Sequence, residues 1–476
     1  LGGNGTVGGT LVNAGTLSPG NSPGLINVTG NFSQAAGGKT IIELASLASF
    51  DQMVITGTAT LNGTLQVTKL PGYTPALGDT FAILTAAGGV SGTFSSLTGT
   101  ALAATGTAIG STVSYGATTV TVAFVQLPLA GFALTSNQAA VAGAAQLVPG
   151  LVTALDAVPT GQLPAAFNVL SPQGYEVWSN IAFARATALA TRLEREDDAV
   201  GGLQNAYFEG TERRGHTGGD GDVGRGTFTA YDGLLGDDRV ISKSLVVGGL
   251  FGYGETTADL GSAGSRTTVR NYTVGLRAVT SRGPWFAHGL LAFGFDRYDA
   301  TRPIAFTGTS AVASASVHGQ QWTAALSGGR EIMRGVWRFA PFGGVQATSW
   351  QADPFSETGA GALGSTLAGQ SALSVRSQFG LEGEAGLRSG TWELFPRFRA
   401  AWLHEWDDNS RAIHTAFGAA AYSVRTRAPQ RDSALLSVGF DVRLSPRSLI
   451  YTDFSAQTGD VTKIVSEFRA GLSVHF

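Results

Sequence analysis

The chain offers few residues able to do covalent chemistry. Its six histidines, His216, His288, His318, His404, His414 and His475, are scattered, with no HExxH or other paired spacing that could hold a metal. His404 and Glu405 are neighbours, and a strand would send them to opposite faces. Gly20-Asn21-Ser22-Pro23-Gly24 matches the GxSxG spacing of a nucleophile elbow. An elbow needs a helix after the serine, and an N–H on the next residue to hold an oxyanion. No helical pattern follows, and Pro23 lacks that N–H, so the stretch reads as a turn. The chain has no cysteine, which excludes thiolate nucleophiles, thiolate metal sites and disulfides. Gly261-Ser262-Ala263-Gly264 sits in a predicted loop and does not join a strand to a helix, so a phosphate cradle is not expected. Glu382 and Glu384 could form an acid/base couple, but structural ion pairing is the reading adopted. No cofactor, catalytic residue or metal is expected. A net charge of −3 gives no case for a nucleic-acid partner.

These charges belong to a larger pattern. In Lys463–Phe476 the apolar Phe468, Ala470, Leu472, Val474 and Phe476 alternate with Glu467, Arg469, Gly471, Ser473 and His475. That period of two predicts a strand with one greasy and one wet face. From Ala206 onward the spacing predicts twelve such strands, near 206–213, 225–235, 241–257, 266–280, 284–299, 316–331, 336–351, 371–387, 392–407, 431–445, 447–457 and 463–476. The first two alternate least well. Short turns are predicted at Gly236-Asp237-Asp238, Arg282-Gly283, Arg334-Gly335, Ser389-Gly390 and Pro446. Longer loops are predicted at 214–224, 258–265, 300–315, 352–370 and 408–430. This asymmetry, the even strand number and tryptophans near strand ends (Trp285, Trp337, Trp392, Trp406) predict a transmembrane β-barrel. Its lumen would receive Arg376, Glu382, Glu384, Arg397, Arg399, Asp441, Arg443, Asp453, Glu467 and Arg469. Phe468, Leu472 and Phe476 would face lipid.

The rest of the chain divides twice more. Residues 1–125 carry only five charged side chains, and their short β-prone runs are separated by turns. They read as a β-solenoid, with a sandwich as the alternative. Residues 126–200 form a helical linker ending in a helix at about 175–197. That helix would be ~34 Å long, too polar for lipid, and either packed on a soluble core or threaded through a polar lumen. Its Arg185, Arg192, Glu194 and Glu196 could pair with lumen charges. No run of 18 apolar residues exists, so a helical span is not expected, and a membrane crossing would have to be a closed barrel. The start at Leu1 without Met or signal peptide predicts a longer parent protein.

Taken together, the chain resembles the type Va autotransporters of Gram-negative bacteria. Residues 206–476 look like their twelve-stranded translocator, through Gly283-Pro284-Trp285, Arg431-Asp432-Ser433 and the terminal Phe476. Leu170-Ser171-Pro172-Gln173-Gly174-Tyr175 resembles the lead into a pore helix. Ser22-Pro23-Gly24, Asp51-Gln52-Met53-Val54-Ile55-Thr56-Gly57 and Gly78-Asp79-Thr80-Phe81 resemble the end of a β-helical passenger. The resemblance implies an all-β protein with a helical linker, made of barrel, pore-threading helix and short solenoid. It implies outer-membrane anchoring and export of the chain's own passenger. The implied partners are outer-membrane lipid, periplasmic chaperones and the barrel assembly machinery, which reads the last strand. Some members cut themselves at paired asparagines in the pore helix; here Asn180 has no such neighbour. Two alternatives stay open: a porin-like channel, or a surface adhesin or enzyme whose active part lies upstream of Leu1.

Overall fold

The computed structural model describes residues 1–102, 106–193, 204–217, 225–260, 264–389, 392–407, 411–427, 430–459 and 462–476. It divides into two compact units, Leu1–Ala133 with Val152–Pro164, and Leu134–Leu151 with Ala165–Phe476.

In the first unit, short strands alternate buried and exposed side chains, as in Lys39–Ser46, where Thr40, Ile42 and Leu44 point inward. The strands distribute over three sheets, most of them pairing in parallel with a strand further along the chain. Leu17 meets Thr40, which meets Leu65. Ile26 meets Met53, which meets Leu84. Leu11 meets Phe32, which meets Ala59. Stacking places like residues above one another, so Leu17, Ile42, Leu65, Val67, Phe81 and Phe124 join one dry core. The hairpin Ile109–Tyr115 and Thr119–Gln126 ends the stack by pairing antiparallel to Thr80–Ala86. Gly20–Gly24 turns between the strands Thr16–Pro19 and Leu25–Val28, with Ser22 at φ 65°.

In the second unit, twelve long strands form the main sheet among the described residues, extended by the short Ile332–Arg334 and Leu387–Ser389. The twelve are β1 Gln204–Thr217, β2 Gly226–Ser242, β3 Leu245–Leu260, β4 Ser265–Arg282, β5 Trp285–Phe306, β6 Thr309–Arg330, β7 Trp337–Ala352, β8 Gln370–Ala385, β9 Trp392–Glu405, β10 Asp432–Ser445, β11 Ser448–Gly459 and β12 Thr462–His475. Each pairs antiparallel with the next, and β1 pairs with β12, with Phe208 opposite Leu472 and Arg213 opposite Glu467. The ring is therefore closed. Its outer face exposes large apolar residues on every side, among them Phe251, Leu291, Trp322, Phe379, Leu436, Phe454 and Phe468. Charged and amide groups turn inward and are buried, such as Glu209, Asp296, Gln346, Glu405 and Arg469. An apolar exterior around a polar interior inverts the usual arrangement of a soluble protein and suits a bilayer.

The structure moves several predicted boundaries. The turn expected at Gly236-Asp237-Asp238 is strand, because β2 continues to Ser242. Asp238 enters the lumen there, and Arg277 grips it with two hydrogen bonds of 2.8 and 2.5 Å. The loop expected at 300–315 is the upper part of the β5–β6 hairpin, turning at Thr307-Gly308, with Gly308 at φ 73°. These strands are 22 residues each, longer than a bilayer crossing of ~9–11 residues requires, so their tips carry polar residues on both faces and lose the simple pattern. Segments 353–369 and 406–431 are not plain loops either. They contribute Phe355–Ser356, Thr366–Leu367 and the hairpin Ala412–Phe417 with Ala420–Arg425 to one small sheet. Trp350 turns inward, donating to Tyr298 at 2.7 Å, so it lies outside any lipid-facing girdle.

Asp51 fastens neighbouring coils of the first unit. It is wholly buried, and its carboxylate accepts from Gly24 N at 2.7 Å and Glu43 N at 2.9 Å. Burial outweighs those two donors and pushes its pKa up to about 6. A raised folded pKa means that the stabilisation is whole below the ordinary value of 3.8 and lost as pH climbs through about 6. The stability of the first unit should therefore fall from pH 4 to pH 7 by on the order of 2 kcal/mol. Asp51→Asn should flatten that slope in thermal melts followed by circular dichroism. Equal slopes in the two proteins would contradict this reading.

Candidate functional site

The lumen holds a helix. Ser171 caps a 3-10 turn at Pro172–Glu176, accepting from Gln173 N at 3.4 Å, and the α-helix Val177–Leu193 follows. It starts two residues later than expected, because Pro172 and Gly174 hold the tighter turn. Alanines at 182, 186 and 190 keep the buried flank narrow. Seventeen residues span ~26 Å.

At the mouth, aromatic rings and one carboxylate meet. Trp178 stacks on Tyr298 with centroids 4.5 Å apart and donates its indole N–H to Thr267 at 3.0 Å. Tyr175 packs edgewise on both Trp178 and Phe355. Glu357 is fully buried as a side chain. It receives Arg302 at 2.9 and 2.6 Å, the Tyr175 hydroxyl at 2.7 Å and Ser365 N at 2.7 Å. Arg302 also donates to Val169 O at 2.7 Å. One carboxylate thus joins the strand wall, the linker and the segment that folds over the opening. Asn137 adds a two-way amide contact with the backbone of Arg425, at 2.9 and 2.7 Å.

Midway down, Arg185 meets Asp296 at 3.0 Å and Asp232 at 3.6 Å. Arg376 donates to Thr187 at 2.9 Å and pairs with Glu405 at 2.9 Å. Lower still, Arg192 meets Glu209 at 2.8 Å and lies 4.2 Å from the centre of the Tyr207 ring. Arg469 completes this level, reaching Glu209 at 3.3 Å and Glu467 at 2.5 Å. The helix leans on one side of the ring, packing Ala190 and Leu189 against Tyr207, Leu234, Leu250 and Leu290. Beside it lies a hollow lined by Thr191, Arg338, Glu382, Glu384, Arg397 and Arg399 among others.

The predicted lumen residues gather mostly around that hollow. Arg399 is 3.6 Å from Glu382, Arg338 is 3.8 Å from Glu384, and Arg397 reaches Asp441 at 3.2 Å and Asp453 at 2.5 Å. Arg443 pairs with Glu393 at 2.8 Å. Phe468, Leu472 and Phe476 are exposed on the outer face, and Phe476 N donates to Gln204 O at 2.9 Å. Glu194 and Glu196 lie outside the described residues. Sequence reasoning missed Glu209, Arg213, Asp232, Asp296, Arg302 and Glu357. Tyr207, Glu209 and Arg213 share one parity in β1 and could have been found that way. The leaning helix hid Asp232 and Asp296, because it makes the inward faces of β2 and β5 partly apolar, while Arg302 lies in the polar tip of β5 and Glu357 in a segment outside the barrel strands.

Removing one partner of a buried pair costs about 3–5 kcal/mol, because the other charge is left stranded. Glu357→Gln should therefore loosen residues 353–369 and make them cleavable by protease added to cells, with surface display of the barrel unchanged. An equally resistant variant would refute this role for Glu357.

The autotransporter β-domain family model matches residues 206–455. The translocator domain of autotransporter NalP from Neisseria meningitidis is similar at a TM-score of 0.52 and 16% identity, over 64% of this chain and 98% of that one. At that identity the likeness speaks for the fold. The transport unit of autotransporter AIDA-I from Escherichia coli aligns at a TM-score of 0.47 and 14% identity, over 62% of this chain and 98% of that one. Esterase EstA of Pseudomonas aeruginosa is 22% identical over 242 residues, which is 49% of this chain and 37% of that protein. The chain thus spans little more than a third of this curated relative's length. It belongs to the autotransporter family, with an outer-membrane β-barrel.

Proposed function

We propose that residues 1–125 are the C-terminal end of a β-helical passenger, that the barrel anchors it, and that the helix plugs the pore through which it left. The observation carrying the plug is the three-level fit of Arg185, Arg192 and Trp178 to wall residues. Parallel pairing in coils supports the passenger reading. We assign no catalytic role to this chain: Ser22 sits in a turn between two strands, followed by a proline. An enzymatic or adhesive activity would belong to a segment upstream of Leu1. EstA, named an esterase, favours that second reading for the parent protein only. The barrel assembly machinery and periplasmic chaperones are the proposed partners in insertion, with Phe476 and the outward Phe468 and Leu472 as the features they read.

Two experiments test this. In planar bilayers the intact chain should conduct weakly, and deletion of 177–193 should raise conductance several-fold; an unchanged conductance would refute plugging. Replacing Phe476 with Asp should cut the yield of heat-modifiable, folded barrel by on the order of tenfold, because it puts a charge on a lipid-facing position. An undiminished yield would remove Phe476 from the assembly signal.

A further inference from the structure

The ion pairs below the mouth are not separate. Arg185 reaches Asp232, Asp232 reaches Arg213 at 3.4 Å, and Arg213 reaches Glu467 at 2.8 Å. Glu467 reaches Arg469, Arg469 reaches Glu209, and Glu209 reaches Arg192. The line starts and ends on the helix. Between those ends it crosses from β1 to β12, the two strands whose pairing closes the ring, with Arg213 directly opposite Glu467. Asp296 joins through Arg185. On the wall, the four carboxylates of this group, Glu209, Asp232, Asp296 and Glu467, face two arginines, Arg213 and Arg469. The helix brings the other two. Without it the inner side of the seam would hold uncompensated negative charge in a partly desolvated space, where like charges repel most strongly.

We infer that the acidic wall beside the seam is a docking groove for a helix bearing two arginines seven residues apart, and that the docked helix holds the first and last strands together. Arginine suits the position better than lysine, since its fork serves two carboxylates at once. Arg185 does this with Asp232 and Asp296, while Arg192 also donates to the Tyr451 hydroxyl at 3.2 Å. The inference rests on the plug reading but goes beyond it: a plug need only fill space, whereas a clasp must bear on the seam.

The chain has no cysteine, so an engineered pair reports alone. Phe208 and Leu472 are register partners on the outer face, away from the lumen charges. In the full chain R185Q/R192Q should lower the temperature at which the folded band is lost by on the order of 10 °C. Adding F208C/L472C and oxidising it should restore most of that loss, with no comparable gain in the parent chain. Loss without rescue would mean that the arginines only seat the helix, and no loss would mean that they do neither; either result overturns the clasp. If R185Q/R192Q does not assemble, R192K is tested the same way. It should show a smaller shift, again recovered by the cross-link, and an unrecovered shift overturns the inference there too.

Discussion

A sheet in hydrocarbon cannot leave an edge, because lipid offers nothing to its free N–H and C=O groups. Everything else in the second unit follows from that constraint. β1 must find β12, and the ring it closes has a lumen wide enough to need filling. Outward positions must be apolar and inward ones compatible with water or with one another. The period-two pattern is the record of this sorting, and the pore helix occupies the space that closure creates.

Filling a lumen with charge is costly unless each charge is met. Burial removes hydration worth several kcal/mol per ion, and only paired, multiply bonded groups recover it. Glu357 illustrates the solution with four donors on one carboxylate. Arg192 combines a carboxylate, a phenol and a ring face. Such sites are specific in geometry more than they are large in net energy. They fix the height and rotation of the helix, which apolar packing of Ala190 and Leu189 alone would leave free to slide.

How much was legible depended on how simple the local constraint was. β8, β10 and β12 face outward on one side and a hollow lined by charged groups on the other, so alternation revealed both faces. β1 and β2 alternate poorly because the helix rests on their inner side, where Tyr207 and Leu234 replace charge. The upper β5–β6 hairpin rises past the apolar band, and its polar tips read as loop. Glu357 could not be found at all from sequence. It lies in a segment without periodicity, and its partners, Arg302 and Tyr175, are 55 and 182 residues away. In the first unit the short strands were readable. Their parallel partners were not, because register between coils depends on turn geometry such as that at Gly20 and Gly63, both at positive φ.

Single spin labels on introduced cysteines, in a chain that has none, test the central claim of a closed barrel around a docked helix most directly. Along β12 the label at Phe468, Ala470 and Leu472 should be relaxed by oxygen dissolved in lipid. At Glu467, Arg469 and Ser473 it should not, and at Ala186 and Ala190 on the helix it should be shielded from both oxygen and a water-soluble nickel reagent. Loss of the period of two along β12, or free access of the nickel reagent to Ala186 and Ala190, would contradict the account.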